Sequence, residues 1–295
     1  MIPQEILKKV RQLEITTRDL VNSVFCGEYH SVFKGKGMEF SEVREYQYGD
    51  DIRQIDWNVT ARMRSPFVKV FSEEREQILM LVVDASGSGE FGSGEQMKGE
   101  IAVEIAALLA FSAIKNNDRV GLLIFTDRIE KFVPPKKGKA HVLRVLRELL
   151  YFKPEGRGTD LGLALEYLTR VIRRRSVVLL VSDFLDSGFE KPLKVVNSKH
   201  DVIALTIRDP CELAIPPVGL VQLEDAETGE RILVDTSSRE FQQEYRQLTQ
   251  GRHQRVTKFL DRLDVDHVDI DTSRGYVRPL VQFFRRRARA LGAGR

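Results

Sequence analysis

The run DASGS, Asp84–Ser88, places an aspartate and two serines at alternate positions directly after the apolar stretch QILMLVVD. D-x-S-x-S is a string of oxygen donors suited to a divalent cation. The same loop read as GSGEFG, Gly87–Gly92, fits the G-x-G-x-x-G of a dinucleotide-binding turn. The neighbouring residues weigh against the second reading. In a dinucleotide turn the first glycine follows its strand almost at once and the third enters the helix. Here Asp84, Ala85 and Ser86 intervene, and Gly92 is followed by SGE, which is still loop. The acidic residue wanted about 20 positions on would fall inside AALLAF, in mid-helix. A buried Asp84 carboxylate would also repel a pyrophosphate. The glycines have a plainer use, letting the loop bend back toward Asp84.

The cation reading gains weight from two distant residues: Thr159 in the glycine-flanked loop GRGTD, and Asp183 at the end of the apolar run SVVLLVSD. Five oxygens with no nitrogen or sulfur select Mg²⁺, or Mn²⁺ or Ca²⁺, over zinc or copper. Such a set carries too little negative charge to satisfy a dication and leaves a coordination position open to a partner's carboxylate. A plainer account also exists. Asp84 could accept from loop amides, Ser88 could cap, and Thr159 could cap the helix beginning at Asp160.

These residues need a scaffold, and the chain reads as one. QILMLVVDA, RVGLLIFTD, SVVLLVSDF and DVIALTIRD are strands, the fully apolar ones typical of a central parallel sheet. IEKFVPP follows its predecessor closely enough to be an antiparallel edge. GEIAVEIAALLAFSAIKNN, AHVLRVLRELLYF, LGLALEYLTRVIRRR, the long SREFQQEYRQLTQGRHQRVTKFLDRL and PLVQFFRRRARAL have helical periodicity. VGLVQLEDAETGERILVDT reads as a hairpin turning at Thr228–Gly229, and DHVDIDT as a short strand. The alternation implies a doubly wound, mostly parallel α/β sheet over residues 77–295. If QILMLVVD and SVVLLVSD are neighbours where strand order reverses, Asp84 and Asp183 end side by side. Residues 1–76 read as an addition: a helix over residues 3–22, two short strands around MEFSEVREYQY and PFVKVFSEE, and the polar, irregular GDDIRQIDWNVTARMR between them.

Composition narrows the function. The 295 residues are 42% hydrophobic and 30% charged, enough for a sizeable core, and the net charge of +3 says little about partners. Arginines cluster at Arg173–Arg175 and at Arg285–Arg287 with Arg289, without the interleaved aromatics of a single-strand nucleic-acid groove. Solvated helix ends account for them, and no nucleic-acid partner is expected. Cys26 and Cys211 are far apart and fit a reducing compartment. The N-terminus is charged and amphipathic, unlike a signal sequence, and the longest apolar segment is broken by Glu104, short of a membrane span. The expectation is a cytoplasmic protein.

In GDDIRQIDW, Asp50, Asp51, Arg53, Asp56 and Trp57 crowd together. The block could serve as an interaction surface. The favoured reading is structural: a turn at Gly49–Asp50, Arg53 paired with Asp50 or Asp56, and Trp57 buried to anchor the addition to the main domain. DVDHV, Asp264–Val268, matches a phosphatase nucleophile motif but sits near the chain's end without a catalytic domain after it; alternating aspartates on an exposed strand face fit better. No G-x-S-x-G elbow or P-loop is present.

The set DASGS, GRGT and VSD resembles the metal-ion-dependent adhesion site of von Willebrand factor A domains. More specifically, GKGMEFSEVREYQYGDDIRQIDWNVTAR followed by the first apolar strand resembles the family catalogued as domain of unknown function 58, from about residue 30 to the last helix. The resemblance implies a metal site of Asp84, Ser86, Ser88, Thr159 and Asp183. The three hydroxyls would bind Mg²⁺ directly and the carboxylates largely through water. It also implies a non-catalytic protein-interaction module, an adaptor or co-chaperone of a MoxR-type AAA+ ATPase or its client, whose nucleotide chemistry belongs to that partner. Many relatives carry N-terminal membrane helices, which this sequence does not show. The competing expectation is a metal-dependent hydrolase using the same ion as Lewis acid, for which Glu90 is the nearby candidate base.

Overall fold

The computed structural model describes residues 14, 15, 29, 32, 38–73, 76–94 and 96–293. Of the helix expected over residues 3–22 only Glu14 and Ile15 fall among them, and both are helical. The chain divides into two compact units, Phe33–Gln77 and the larger Met1–Val32 with Ile78–Arg295.

In the smaller unit β1 (Met38–Glu45) pairs antiparallel with β2 (Phe67–Glu73). The segment between them is more ordered than its polarity implied. The Asp51 side chain accepts from Arg53 N and starts a 3₁₀ turn at Ile52–Gln54. The Asp56 carboxylate accepts from Asn58 N and Val59 N and starts α1 (Trp57–Met63). These aspartates are N-caps, which satisfy amides that a helix's first turn leaves without partners. Gly49 takes the turn conformation expected of it, at φ 108°. Two other expectations fail. Asp50 is held by Arg44, at 2.7 and 2.8 Å, and Asp56 lies 3.6 Å from Lys69, so Arg53 is the partner of neither. Trp57, the first residue of α1, is 70% exposed where burial was expected.

The larger unit contains, in chain order, β3 (Ile78–Asp84), α2 (Lys98–Lys115), β4 (Arg119–Phe125), β5 (Ile129–Lys136), α3 (Lys139–Leu150), α4 (Leu161–Val171), β6 (Val177–Val181) and α5 (Glu190–Lys199). Then follow β7 (Asp201–Arg208), α6 (Pro210–Leu213), β8 (Leu220–Glu224), β9 (Arg231–Asp235), α7 (Arg239–Arg262), β10 (Asp266–Asp271) and α8 (Val277–Ala293). Six strands form one sheet in the order β10-β7-β6-β3-β4-β5; all neighbours are parallel except β4 and β5. This is the expected mostly parallel α/β architecture, with the antiparallel edge where IEKFVPP placed it.

The sequence pattern explains the layering. Leu79 to Val83 are all buried, since successive residues of a central strand face opposite layers and both are covered. On one face Met80, Val82, Val178 and Leu180 pack with Leu161, Leu165 and Leu168 of α4, Leu193 and Val196 of α5, and Leu260 of α7. The alternate residues face the other layer, where α2 buries Ile101, Ile105, Leu108 and a run of alanines. Helix α5 has no counterpart in the sequence reading: it is short and buries only two apolar residues. Among the described residues β8 and β9 pair only with each other, as the expected hairpin, and Leu220, Ile232 and Leu233 are exposed on it. Arg287 is not a solvated helix end, because it is mostly buried and ion-paired with Asp201 and Asp266. Its pairing with Asp266, and that of Arg208 with Asp269, gives two of the three aspartates of β10 arginine partners. Among the described residues, no helix is long and apolar enough to cross a membrane.

Candidate cation site at the strand-order reversal

Strand β3 is flanked by β4 on one side and β6 on the other. The chain therefore builds outward from β3 in one direction, then returns and builds in the other. Such a reversal leaves a crevice at the carboxyl ends of the two strands, because their following loops turn to opposite faces. Asp84 is the last residue of β3; the last registered pair with β6 is Val83–Val181, and Asp183 follows two residues later. The two carboxylates share this end of the sheet.

The Asp84 carboxylate is held at both oxygens. Oδ1 accepts from Ser86 N at 2.9 Å and Oδ2 from Ser182 Oγ at 2.9 Å. Burial, and then the nearby Asp183 charge, push its pKa from 3.8 up to about 6, against the opposing effect of these hydrogen bonds. Ser86 is buried and its Oγ lies 3.1 Å from Ser88 Oγ, so the two serine hydroxyls of DASGS form one oxygen pair. The loop is a 3₁₀ turn over Gly87–Glu90, and α2 does not begin until Lys98, so Gly92 is not the helix-packing glycine of a dinucleotide turn. The Glu90 side chain lies outside the described residues.

Asp183 meets a cation from the protein itself. Lys98, the first residue of α2, has a side chain only 5% exposed, with Nζ 3.2 Å from Asp183 Oδ2 and 2.7 Å from Glu212 Oε1. Burial works against the Lys98 ammonium, but Asp183 and Glu212 together raise its pKa above the ordinary value. Asp183 Oδ1 accepts from Leu185 N at 3.3 Å. Between them Phe184 adopts a left-handed backbone, φ 56°, with its ring buried against Phe189.

The loop bearing Thr159 is tied to DASGS by the backbone bond Gly87 N to Arg157 O, 3.0 Å, and to the sheet by Asp160 N to Thr126 O, 2.9 Å. Gly156 fits because a Cβ there would lie 2.1 Å from Asp127 Oδ1 and 2.4 Å from Thr126 Oγ1. Glu130 Oε1 gathers this corner, accepting from Gly156 N, Glu155 N and Thr126 Oγ1. Thr159 does not cap α4; Asp160 does so itself, accepting from Leu163 N at 2.7 Å. The Thr159 hydroxyl instead donates to Glu227 Oε1 at 2.7 Å, 68 residues away in the β8–β9 turn.

The structure thus brings Asp84, Ser86, Ser88 and Asp183 to one end of β3 and β6. It docks the Thr159 loop on the same loop while directing the Thr159 hydroxyl to Glu227. Sequence reading missed Ser182, Lys98, Glu212, Glu130 and Glu227. Among the described residues, no three His, Cys, Asp or Glu side chains gather where they could hold a metal, which leaves a hydroxyl-rich oxygen set with two carboxylates. All its donors are oxygens, the kind a hard cation takes, and Asp84, Ser86, Ser88 and Asp183 are the residues that would hold one. The fit is also electrostatic: Lys98 balances Asp183, whereas Asp84 sits buried beside a like charge.

The family described as "Protein of unknown function DUF58" matches residues 42–256. An uncharacterized protein of Mycobacterium tuberculosis, Rv1480, is 32% identical over 290 residues, spanning 97% of this chain and 90% of that protein. Among solved structures, the conserved hypothetical protein BatB from Bacteroides thetaiotaomicron aligns with 72% of this chain and 99% of its own at 18% identity and TM-score 0.47. The SpRpn10 VWA domain aligns with 45% of this chain and 75% of its own at 14% identity and TM-score 0.34. With its family match covering well over half its length and a relative aligned almost end to end, the chain belongs to the DUF58 family.

Proposed function

We propose that this DUF58 protein is a non-catalytic interaction module of the cytoplasm that captures an Asp or Glu side chain of a protein partner through a divalent cation, Mg²⁺ before Mn²⁺ or Ca²⁺. The partner in this reading is a MoxR-type AAA+ ATPase or its client, with the chain acting as adaptor or co-chaperone. The observation that carries the proposal is the Asp84 carboxyl, buried and raised to about 6 beside Asp183, with the Ser86–Ser88 oxygen pair next to it. Burying an uncompensated carboxylate is costly unless a cation joins it. Ser86, Ser88 and Thr159 would offer hydroxyl oxygens, Asp84 the principal negative charge, and Asp183 a charge already shared with Lys98. When bound, a dication would supply a positive centre with a coordination position left for an incoming carboxylate.

The test immobilises the full chain and presents a MoxR-type ATPase from the same organism in Mg²⁺ or in EDTA. Capture should occur in Mg²⁺, vanish in EDTA and be absent for Asp84→Ala. Equal capture in EDTA, or by the Asp84→Ala chain, would refute the reading.

A further inference from the structure

The Thr159–Glu227 bond has no place in a site built only from DASGS, GRGTD and VSD. Glu227 stands in the turn between β8 and β9, where Asp225 Oδ1 accepts from Glu227 N at 2.9 Å and Thr228 N at 2.8 Å, and Gly229 takes φ 74°. The turn is therefore rigid where the glutamate leaves it. At its other end the hairpin is fastened by the buried Thr236, whose Oγ1 donates to Gly219 O at 2.7 Å and accepts from Val218 N at 3.0 Å.

A second observation places the same turn on the candidate ligand loop. A Cβ on Gly87 would fall 2.4 Å from Ala226 O and 2.9 Å from Ala226 C. The residue between the two candidate ligand serines must be glycine because the backbone of the hairpin tip lies directly on it. Ala226 against Gly87 and Glu227 against Thr159 are adjacent contacts of one turn with two loops of one site. A hydroxyl that gives its proton to a carboxylate keeps its lone pairs for another electrophile, so Glu227 leaves Thr159 disposed to ligate.

We infer that Glu227 is a resident acidic group of the cation site, presented by the β8–β9 hairpin where a partner's carboxylate would come, so that partner capture requires the hairpin tip to withdraw. The inference rests on the cation reading above. The occupant that fits is an acidic residue at the tip of a turn whose backbone can lie against Gly87, as that of Ala226 does. The hairpin is suited to leaving: among the described residues it pairs with no third strand, and isolated two-stranded ribbons are marginal in water.

The experiment uses the full chain, Glu227→Gln and Asp84→Ala. Its probes are Mn²⁺, followed by its paramagnetic resonance signal, and the synthetic peptide EDAETGER, the sequence of residues 224–231. Glu227→Gln should bind Mn²⁺ on the order of 10-fold more weakly than the natural chain. It should also bind the peptide only when Mn²⁺ is present, while the natural chain, occupied in cis, binds it far less. Unchanged Mn²⁺ affinity in Glu227→Gln, or equal peptide binding by the two chains, would overturn the inference and leave the cation reading intact. Absence of Mn²⁺ binding by the natural chain, or undiminished binding by Asp84→Ala, would instead remove the cation reading, and this inference with it.

Discussion

Replacing Asp84 with asparagine should make the cation-free protein more stable near neutral pH. The amide keeps the size of the carboxyl and removes the charge; its oxygen can accept from Ser86 N, and its NH2 meets Ser182 Oγ, a hydroxyl that can turn to accept. A carboxyl raised from 3.8 to about 6 binds its proton more tightly in the folded chain than in the unfolded one. Its ionisation therefore opposes folding. The penalty is absent below the unfolded value, grows as pH rises through the interval, and is complete above about 6, where it amounts to roughly 3 kcal/mol. In EDTA at about pH 7, urea denaturation should show Asp84→Asn more stable by up to that amount, and the gain should disappear at about pH 4. Saturating Mg²⁺ should stabilise the natural chain more than the variant, because only the natural chain has the charge to offset. A stability difference that does not change between these two pH values would show that Asp84 is not a strained carboxylate, and the electrostatic argument for the site would fall with it.

Two further substitutions probe the surroundings. Lys98→Met deletes the ammonium between Asp183 and Glu212 and leaves a buried carboxylate without its partner, which should lower stability by about 3–5 kcal/mol in urea denaturation; a loss under about 1 kcal/mol would mean that Asp183 is solvated or otherwise paired. Trp57→Ala should change stability by no more than about 0.5 kcal/mol, as for an exposed site, whereas an anchoring tryptophan would cost about 3–5 kcal/mol in the same measurement.

The strands of the large sheet were legible because burial on both faces demands the uninterrupted apolar runs that QILMLVVD and SVVLLVSD display. Their adjacency is a condition the sequence could only pose, since no apolar run says which strand it pairs with; the β3–β6 pairing meets it and brings Asp84 and Asp183 to one end of the sheet. The short helices were not legible. Helix α5 buries two residues and leaves almost no period, and α1 is started by Asp56, which in GDDIRQIDW reads equally well as one more solvated charge. The partners of the site were hidden for a different reason. Ser182 meets Asp84 across 98 positions, Lys98 meets Asp183 across 85, and Glu227 meets Thr159 across 68. Each contact depends on strand register and loop direction, and local pattern carries neither. Lys98 in particular, at the start of a helix in MKGE, looks like any surface lysine.

The backbone at Phe184 couples the geometry of one acid to the hydrophobic interior. A phenylalanine at φ 56° holds a conformation that L-residues avoid, at an expense of about 1–2 kcal/mol, and it does so where the chain must turn immediately after Asp183. What retains it there is the ring, wedged among Phe189 and the residues beneath α4 and α5. Asp183 is consequently aimed only while that aromatic wedge is seated. Loosening of the layer under α5 would let the bend relax and misdirect the acid, so the geometry of the crevice is tied to the cooperativity of the packing beneath it.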